Sequence, residues 1–383
     1  MPDETIQAGG GESTAATVWF ADLRGDTKRS LLAKLDLLLA RAGIEEKVAR
    51  KHLVAVKLHF GELGNTAYVR PVYVRRVVER LRLTGAKPFL VDTNTLYVGS
   101  RGDSASHYET AIANGFDWSA VGAPVVIGGG LRGNRGTTVQ VDLPHYREVE
   151  IAPEIADADA IVGITHFKGH EMSGFGGTLK NFGMGAASRH GKLSMHSTAG
   201  PHVKEGACTA CHSCLRWCAF GAMRVSAEDR TVRIDQERCS GCGACLPTCP
   251  AGAIQVDWNQ DLRGMQERMA EYAYGAIAPK RDRAVFLNFL TQISPLCDCY
   301  PFADTPLVPD VGILASTDPV AIDQASVDLV NAQPGHPLST HASALGPGED
   351  KFRAAAPKVD WSIQLAHAES IGLGKRSYTL VAV

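Results

Sequence analysis

Short apolar runs alternate with amphipathic segments along the first half of the chain. Runs of the length of a buried strand occupy residues 17–21, 53–58, 88–92, 125–127 and 160–164. Between the second and third of them, Val74, Val77 and Leu81 recur at helical spacing, with charged residues opposite. This spacing predicts a helix over residues 69–83. Alternating strands and helices predict an α/β domain with a mostly parallel sheet.

The same pattern resumes in the last third of the chain. Residues 284–290 and 312–315 have the composition of strands, and Asp318-Pro319 is typical of a helix start, with the helix running to about residue 330. The cysteine-rich stretch between the two halves therefore reads as an insertion. The sequence predicts four segments: a disordered leader (1–16), a first α/β part (17–204), a ferredoxin-like insert (205–257) and a second α/β part (258–383).

Composition narrows the class of protein. The chain has 383 residues, 45% of them hydrophobic and 21% charged, which is ordinary for a globular protein of two or three domains. A net charge of −2 gives no electrostatic case for binding nucleic acid or a membrane surface. No apolar run approaches the roughly 18 residues of a membrane span, and the first 16 residues lack the apolar core of a signal peptide. We therefore expect a cytoplasmic protein without nucleic acid or membrane partners.

Eight of the ten cysteines form two runs with one spacing, Cys-x2-Cys-x2-Cys-x3-Cys. This spacing is typical of bacterial two-cluster ferredoxins, in which the fourth cysteine of each run ligates the other cluster. The sequence therefore predicts two [4Fe–4S] clusters. The first would bind Cys208, Cys211, Cys214 and Cys249, and the second Cys239, Cys242, Cys245 and Cys218.

Zinc is the alternative ligand for paired Cys-x2-Cys units. The third interlocked cysteine of each run and the Cys249-Pro250 pair favour clusters instead, although Ala219 stands where the first run would usually have proline. Cysteines committed to clusters indicate a reducing compartment, in which disulfides are uncommon.

Polar residues follow several of the predicted strands. Since ligands of open α/β sheets bind beyond the carboxyl ends of the strands, these residues are candidates for one pocket. They are Lys57, His59, Asp92, Asn94, Thr95, His166, Lys168, His170, Thr317 and Asp318. Each also has a simpler explanation on its own, and for Asp318 that explanation is a helix cap.

The stretch of residues 165–204 holds five of the thirteen histidines, together with many glycines and cations that include Lys180, Arg189 and His190. Glycines allow backbone N–H groups to approach a ligand, and cations favour an anion. We expect a loop that binds a carboxylate or a phosphate. A solvated basic loop packed on the cysteine-rich segment is the alternative.

Two further motifs remain. Cys297-Asp298-Cys299 follows the predicted strand 284–290 and is compatible with a third metal centre, with redox-active thiols or with inert thiols. Gly128-x-Gly130-x-x-Gly133 matches a dinucleotide fingerprint, but residues 137–141 alternate like a strand instead of starting a helix. We therefore interpret the glycine run as a turn.

Residues 54–65, 91–97, 168–192 and 313–319, together with the central cysteine runs, resemble the domain-of-unknown-function 362 family of uncharacterised iron–sulfur centre proteins. The resemblance extends over nearly the whole chain from residue 17. It implies an α/β domain with two [4Fe–4S] clusters, and it implies no settled reaction.

The leading hypothesis is an iron–sulfur oxidoreductase that reduces a small anionic substrate. Electrons from a separate ferredoxin or reductase would pass through the two clusters. The candidate catalytic residues are His166, His170, His190, Cys297 and Cys299. The candidate substrate-binding residues are Lys57, His59, Asn94, Lys168, Lys180 and Arg189. A non-catalytic electron-transfer protein and an iron–sulfur redox sensor are the alternatives.

Overall fold

The computed structural model describes residues 6–7, 15–197, 200–257, 261–339 and 345–383. The strands are β1 (Ile6–Gln7), β2 (Ala16–Asp22), β3 (Leu53–Lys57), β4 (Lys87–Thr93), β5 (Val125–Gly128), β6 (Thr137–Gln140), β7 (Glu148–Ile151), β8 (Ala160–His166), β9 (Lys168–His170), β10 (Gly174–Gly176), β11 (His202–Val203), β12 (Met223–Val225), β13 (Val232–Ile234), β14 (Ile254–Gln255), β15 (Ala284–Leu290), β16 (Gly312–Ser316) and β17 (Tyr378–Ala382). The α-helices are α1 (Leu31–Arg41), α2 (Ile44–Lys47), α3 (Pro71–Leu83), α4 (Ser104–Ala113), α5 (Trp118–Val121), α6 (Pro153–Ala156), α7 (Thr178–Ala186), α8 (Arg189–His196), α9 (Leu262–Ile277), α10 (Pro319–Asn331), α11 (Lys351–Ala355) and α12 (Ser362–Ser370).

One large sheet organises the fold, with strand order β1-β17-β2-β16-β15-β8-β3-β4-β5. The run from β15 to β5 is parallel, as is the pair of β17 and β2, whereas β1 and both edges of β16 pair antiparallel. Every residue of β8 and β15 is buried, as expected for parallel strands covered by helices on both faces. The predicted α/β class with a mostly parallel sheet is confirmed.

Two apolar layers cover the sheet, because successive strand residues point to opposite faces. Ala55 of β3 packs on the side of α7, α9 and α10, whereas Val54 and Val56 pack on the side of α1 and α3. Helix α3 begins at Pro71, whose missing N–H suits the first helical position, and it buries the predicted apolar stripe. Asp318 caps the N-terminus of α10, which confirms the helix-cap explanation for this residue.

The cysteine-rich segment contains two short antiparallel pairs, β11 with β14 and β12 with β13. Met223, Val232 and Ile254 share a small apolar cluster with several of the cysteines. Because β11 pairs with β14, the first and last strands of the segment lie side by side. Along the chain, the segment stands between α8 and α9.

Of the predicted leader, residues 6–7 pair with β17, and residues 15 and 16 lead into β2. Its other residues lie outside the described part of the chain. Among the helices in the described ranges, none combines the length and the apolar character needed to cross a membrane.

Helix α7 carries several cavity residues, and a buried carboxylate fixes its first turn. Asp323 of α10 accepts the N–H groups of Thr178 and Leu179 at 2.7 and 2.8 Å and the side-chain amide of Asn288 at 2.8 Å. A Cβ atom on Gly177 would lie 2.4 Å from the Asp323 carboxylate, so only glycine admits this approach. Asp323 therefore sets the position of α7 on the sheet.

We expect Asp323→Ala to lower the free energy of unfolding by about 3 kcal/mol, because it leaves three buried donors without an acceptor. Anaerobic urea unfolding followed by far-UV circular dichroism measures the change. Asp328→Ala is the matched control, since Asp328 lies exposed on the same helix, and its loss should stay below about 1 kcal/mol. Equal losses in the two variants would contradict the anchoring role.

Candidate functional site

A cavity of about 560 Å³ opens at the carboxyl ends of β3, β4 and β8. The parallel strands bring these ends to one edge of the sheet, and the turn that follows β15 closes the same edge. Ten of the predicted residues line it: Lys57, His59, Asp92, Thr95, His166, Lys168, His170, Lys180, Cys297 and Cys299.

The cavity is also lined by polar residues that were not predicted from the sequence. They are Thr93, Tyr97, Arg101, Thr165, Glu171, Asn181, Lys192, His196 and Tyr300. A signal for two of them exists in the sequence, because Lys192 and His196 are four residues apart and share one face of α8. Tyr97 and Arg101 lie in a loop, where no periodic pattern marks the buried side.

Three of the cavity cations have carboxylate partners. The Lys57 ammonium lies 3.0 Å from Asp92, and the Lys168 ammonium lies 3.3 Å from Asp298. The Arg101 guanidinium lies 3.0 Å from Glu62 behind the cavity wall. Burial lowers the pKa of Lys57, and the Asp92 charge opposes that shift. The net charge of each of these pairs is close to zero.

Lys180 and Lys192 are different, since neither forms a salt bridge within the part of the chain that the structure describes. The Lys180 ammonium lies 3.6 Å from the Cys297 sulfur, and Lys192 donates to the Thr93 hydroxyl and to the Asn94 carbonyl. Burial lowers the pKa of Lys192 well below its usual value. For Lys180, burial acts in the same direction, but the neighbouring cysteines outweigh it and raise the pKa. An anion in the cavity would compensate both amines.

The cavity histidines have distinct surroundings. Both ring nitrogens of His166 face oxygen acceptors, Asp298 Oδ1 and the Thr291 carbonyl, each at 2.8 Å. These two contacts fix the orientation of the ring in the cavity wall. Burial lowers the pKa of His59 to about 3, and Arg101 adds to the shift, so this ring is neutral near pH 7.

His170 is the histidine best placed for proton transfer. Its Nδ1 accepts the N–H groups of Met172 and Ser173, each at 3.2 Å, which leaves the proton on Nε2. Cys297 lines the same cavity, and His170 contributes to lowering the pKa of its thiol, after the larger effects of Cys299 and Lys180. Because Nδ1 accepts these two N–H groups, Nε2 is the ring nitrogen available for proton exchange within the cavity.

Cys297 and Cys299 lie in one tight turn, in which the Tyr300 N–H donates to the Cys297 carbonyl at 3.2 Å. The pKa of Cys297 is held well below its usual value, first by a hydrogen bond from Cys299 and further by Lys180. The pKa of Cys299 is raised correspondingly, because its proton is shared with Cys297. Of the two thiols, Cys297 is therefore the one that ionises more readily.

Five predicted residues lie outside the cavity lining: Asn94, Arg189, His190, Thr317 and Asp318. The Asn94 amide bonds to the Ser104 hydroxyl at 2.9 Å. Arg189 is fully buried and donates through Nε to the Thr95 carbonyl at 3.1 Å. His190 is half-exposed and pairs with Glu150 at 3.1 Å, a hydrogen bond that raises the pKa of its ring.

The eight cysteines of the two runs line two smaller cavities in separate sets. One is lined by Cys208, Cys211, Cys214 and Cys249, and the other by Cys218, Cys239, Cys242 and Cys245. Each set draws three members from one run and the fourth from the other run. This is the grouping that the ferredoxin spacing predicts.

Backbone N–H groups point at several of these sulfurs. Val232 donates to Cys208 at 3.4 Å, and Ala222 and Ala253 donate at 3.2 Å to Cys218 and Cys249. Equivalent residues of the two runs share left-handed backbone angles: Ala210 with Gly241 (φ 55° and 69°) and His212 with Gly243 (φ 58° and 65°). Consecutive N–H groups in such conformations form concave sites for anions.

The second cysteine run packs directly against the α/β part. A Cβ atom on Gly243 would lie 2.6 Å from Leu96 and 3.3 Å from Arg189, and one on Gly102 would lie 3.2 Å from Pro247. Leu96 also lines the 560 Å³ cavity. A single layer of side chains thus separates the loop of Cys242 and Cys245 from that cavity.

We expect Gly243→Ala to disrupt this contact and Gly241→Ala to preserve it. Both glycines have positive φ, so alanine costs about 1–2 kcal/mol at either position. Only at Gly243 does the new methyl group clash with Leu96, whereas at Gly241 it meets His190 at an ordinary 3.6 Å. Anaerobic thermal unfolding and retained iron should show the larger loss in Gly243→Ala. Equal losses would mean that the contact with Leu96 is not required.

Within the described ranges, three metal-ligating side chains converge to within 4.8 Å at one place, His145, Glu271 and His367. These groups already have partners, since Glu271 binds the His367 ring at 2.9 Å and accepts the backbone N–H of His145 at 3.1 Å, while the His145 ring pairs with Glu267 at 2.9 Å. The group therefore ties α9 to α12 and to the loop before β7. The Cys297–Cys299 turn has no comparable convergence in the same residues.

A search among curated proteins found no match. Among solved structures, the chain is similar to the lactate racemase apoprotein from Thermoanaerobacterium thermosaccharolyticum, with 14% sequence identity and a TM-score of 0.34. The similarity covers 75% of this chain and 56% of that one, and at this TM-score it carries no argument about fold or function. The family described as "Domain of unknown function (DUF362)" matches residues 54–328, which is most of the chain, and the protein belongs to that family.

Proposed function

We propose that the protein is an iron–sulfur oxidoreductase that reduces a small anionic substrate with electrons relayed through two [4Fe–4S] clusters in a ferredoxin-like insert. The grouping of eight cysteines into two sets of four, each around its own cavity, carries the proposal. The second set lies one side-chain layer from a larger, cation-rich cavity. A reducing compartment such as the cytoplasm suits this chemistry.

The residues around the small cavities fit clusters. Four thiolates per site match the ligand count of [4Fe–4S], and N–H groups directed at the sulfurs stabilise the negative charge of such a centre. Cys208, Cys211, Cys214 and Cys249 would hold one cluster, and Cys239, Cys242, Cys245 and Cys218 the other. Bound clusters would supply single-electron transfer.

The large cavity suits an anion. Five cations line it, and Lys180 and Lys192 are without a carboxylate partner in the described residues. Both amines line the cavity, and since an uncompensated buried charge is costly, an anionic substrate beside them would favour their charged forms, including that of Lys192, whose pKa burial lowers. His170 would exchange protons with the substrate, while the His166–Asp298–Lys168 group keeps the wall in place.

Electrons would come from a separate ferredoxin or reductase. The glycine run that matches a dinucleotide fingerprint forms a turn, with positive φ at Gly129, Gly130 and Gly133, and leads into strand β6. It therefore lacks the helix start that binds a pyrophosphate.

Anaerobic purification followed by iron, acid-labile sulfide and EPR measurements tests the proposal. We expect about eight iron and eight sulfide per chain and the EPR signals of two reduced [4Fe–4S] clusters. Two zinc ions per chain without labile sulfide would overturn it. Iron well above eight that is lost in Cys297→Ser/Cys299→Ser would instead identify a third metal centre at that turn.

A further inference from the structure

We propose that Cys297 and Cys299 form a dithiol–disulfide couple that collects two single electrons and transfers them as a pair. The inference rests on the proposed function, because it takes its electrons from the two clusters. It also assigns a substrate class, a small disulfide that carries carboxylates.

The turn brings the two sulfurs to one side of the chain. The hydrogen bond from the Tyr300 N–H to the Cys297 carbonyl closes a four-residue turn with the cysteines at its first and third positions. In such a turn these positions lie at roughly the 4.4–6.8 Å Cα separation of disulfides. The Asp298 side chain between them points away into the buried group with His166 and Lys168. Nothing in the turn therefore separates the two thiols.

The surroundings favour thiol–disulfide exchange over metal binding. Lys180 lies 3.6 Å from the Cys297 sulfur and stabilises the thiolate, which is the attacking form. The same ammonium also repels a metal cation from the Cys297 sulfur. Both cysteines line the cavity, so a substrate held by Lys180 meets their sulfurs.

Two adjacent residues link the second cysteine run to the couple and provide a route for electrons. Leu96 contacts the loop of the second cysteine run at Gly243 and also lines the large cavity. Tyr97, the next residue, lines the same cavity together with Cys297 and Cys299. Leu96 and Tyr97 thus connect the loop of the second cysteine run with Cys297 and Cys299.

The reaction balances in two stages. The Cys297 thiolate attacks one sulfur of the substrate disulfide, releases the first product thiolate and forms a mixed disulfide. The Cys299 thiol gives its proton to the first product thiolate and attacks the Cys297 sulfur, which releases the second product thiolate and closes the Cys297–Cys299 disulfide. Two electrons, which the two proposed clusters would supply one each, and one proton would then restore the thiolate and the thiol. The substrate disulfide thus gains two electrons and one proton and leaves as one thiol and one thiolate.

Anaerobic reductive titration of the purified holoprotein tests the couple. Wild-type protein, first oxidised with cystine, should take up about four electrons with two [4Fe–4S] clusters present, whereas Cys297→Ser/Cys299→Ser should take up about two. Peptide mapping after acid quenching and alkylation should show the 297–299 disulfide in the oxidised wild type and two alkylated thiols after reduction. In Cys299→Ser, cystine should leave a cysteinyl adduct on Cys297.

The outcomes separate the two proposals. Protein without iron would overturn the proposed function itself. Intact clusters with two electrons in both proteins, and unbridged cysteines after cystine, would overturn the couple alone. A metal retained by the wild type and lost in the double variant would also overturn it. A four-electron uptake without an adduct on Cys297 would reject a disulfide as the substrate class. Peptide mapping of the wild type decides the couple even where a variant does not fold.

Discussion

Cys249→Ala is expected to remove the cluster that we propose on the first cysteine run, although Cys249 belongs to the second run. Its sulfur lines the same small cavity as Cys208, Cys211 and Cys214. Iron should fall from about eight to about four per chain, because a [4Fe–4S] cluster without its fourth thiolate is lost or degraded. EPR should then show one remaining cluster.

Cys218→Ala is the matched variant, because it occupies the same place in the other run and lines the other cavity. It should also halve the iron, but the surviving EPR signal should be the one that is missing in Cys249→Ala. If each variant loses the cluster of its own run, judged by Cys211→Ala and Cys242→Ala as references, the two runs do not exchange ligands.

Lys180→Met and Lys192→Met are each expected to weaken anion binding by about 100-fold. Loss of one buried charge-assisted hydrogen bond costs about 3 kcal/mol, which corresponds to that factor. The probe is whichever of oxalate, phosphate, pyruvate and cystine most raises the thermal stability of the wild type. Isothermal titration with that anion then gives the affinity of each variant.

Lys358→Met provides the control, since Lys358 is exposed and outside the cavity lining. Its affinity should match the wild type. Cluster reduction should be intact in all three variants, so that only steps in the cavity respond. Unchanged affinity in both cavity variants would favour the alternative of an electron-transfer protein that docks a redox partner.

The sequence predicted the sheet well because its strands are buried on both faces. Residues 284–290 coincide with β15, and residues 53–58 and 160–164 fall within one or two residues of β3 and β8. Such strands read as continuous apolar runs, and the positions of their ends depend on local sequence alone. The division of the eight cysteines into two sets was predicted from the spacing within the two runs.

The direction of individual side chains could not be read in this way. Asn94 follows β4 as predicted, but its amide turns to the glycine turn near Ser104 instead of the cavity. Arg189 and His190 belong to α8, whose rotation is set by its packing on α9 and by the second cysteine run. That rotation places Lys192 in the cavity and leaves Arg189 behind its wall. Tertiary contacts, which no local pattern encodes, decide these orientations.

The pairing of β11 with β14 has a consequence for how this chain could have arisen. Because the first and last strands of the cysteine-rich segment pair with each other, the chain enters and leaves the segment at one place. A genetic event that adds or deletes the stretch between them would leave every strand of the large sheet with its partners. The cysteine-rich segment and the α/β part can thus be exchanged as whole units.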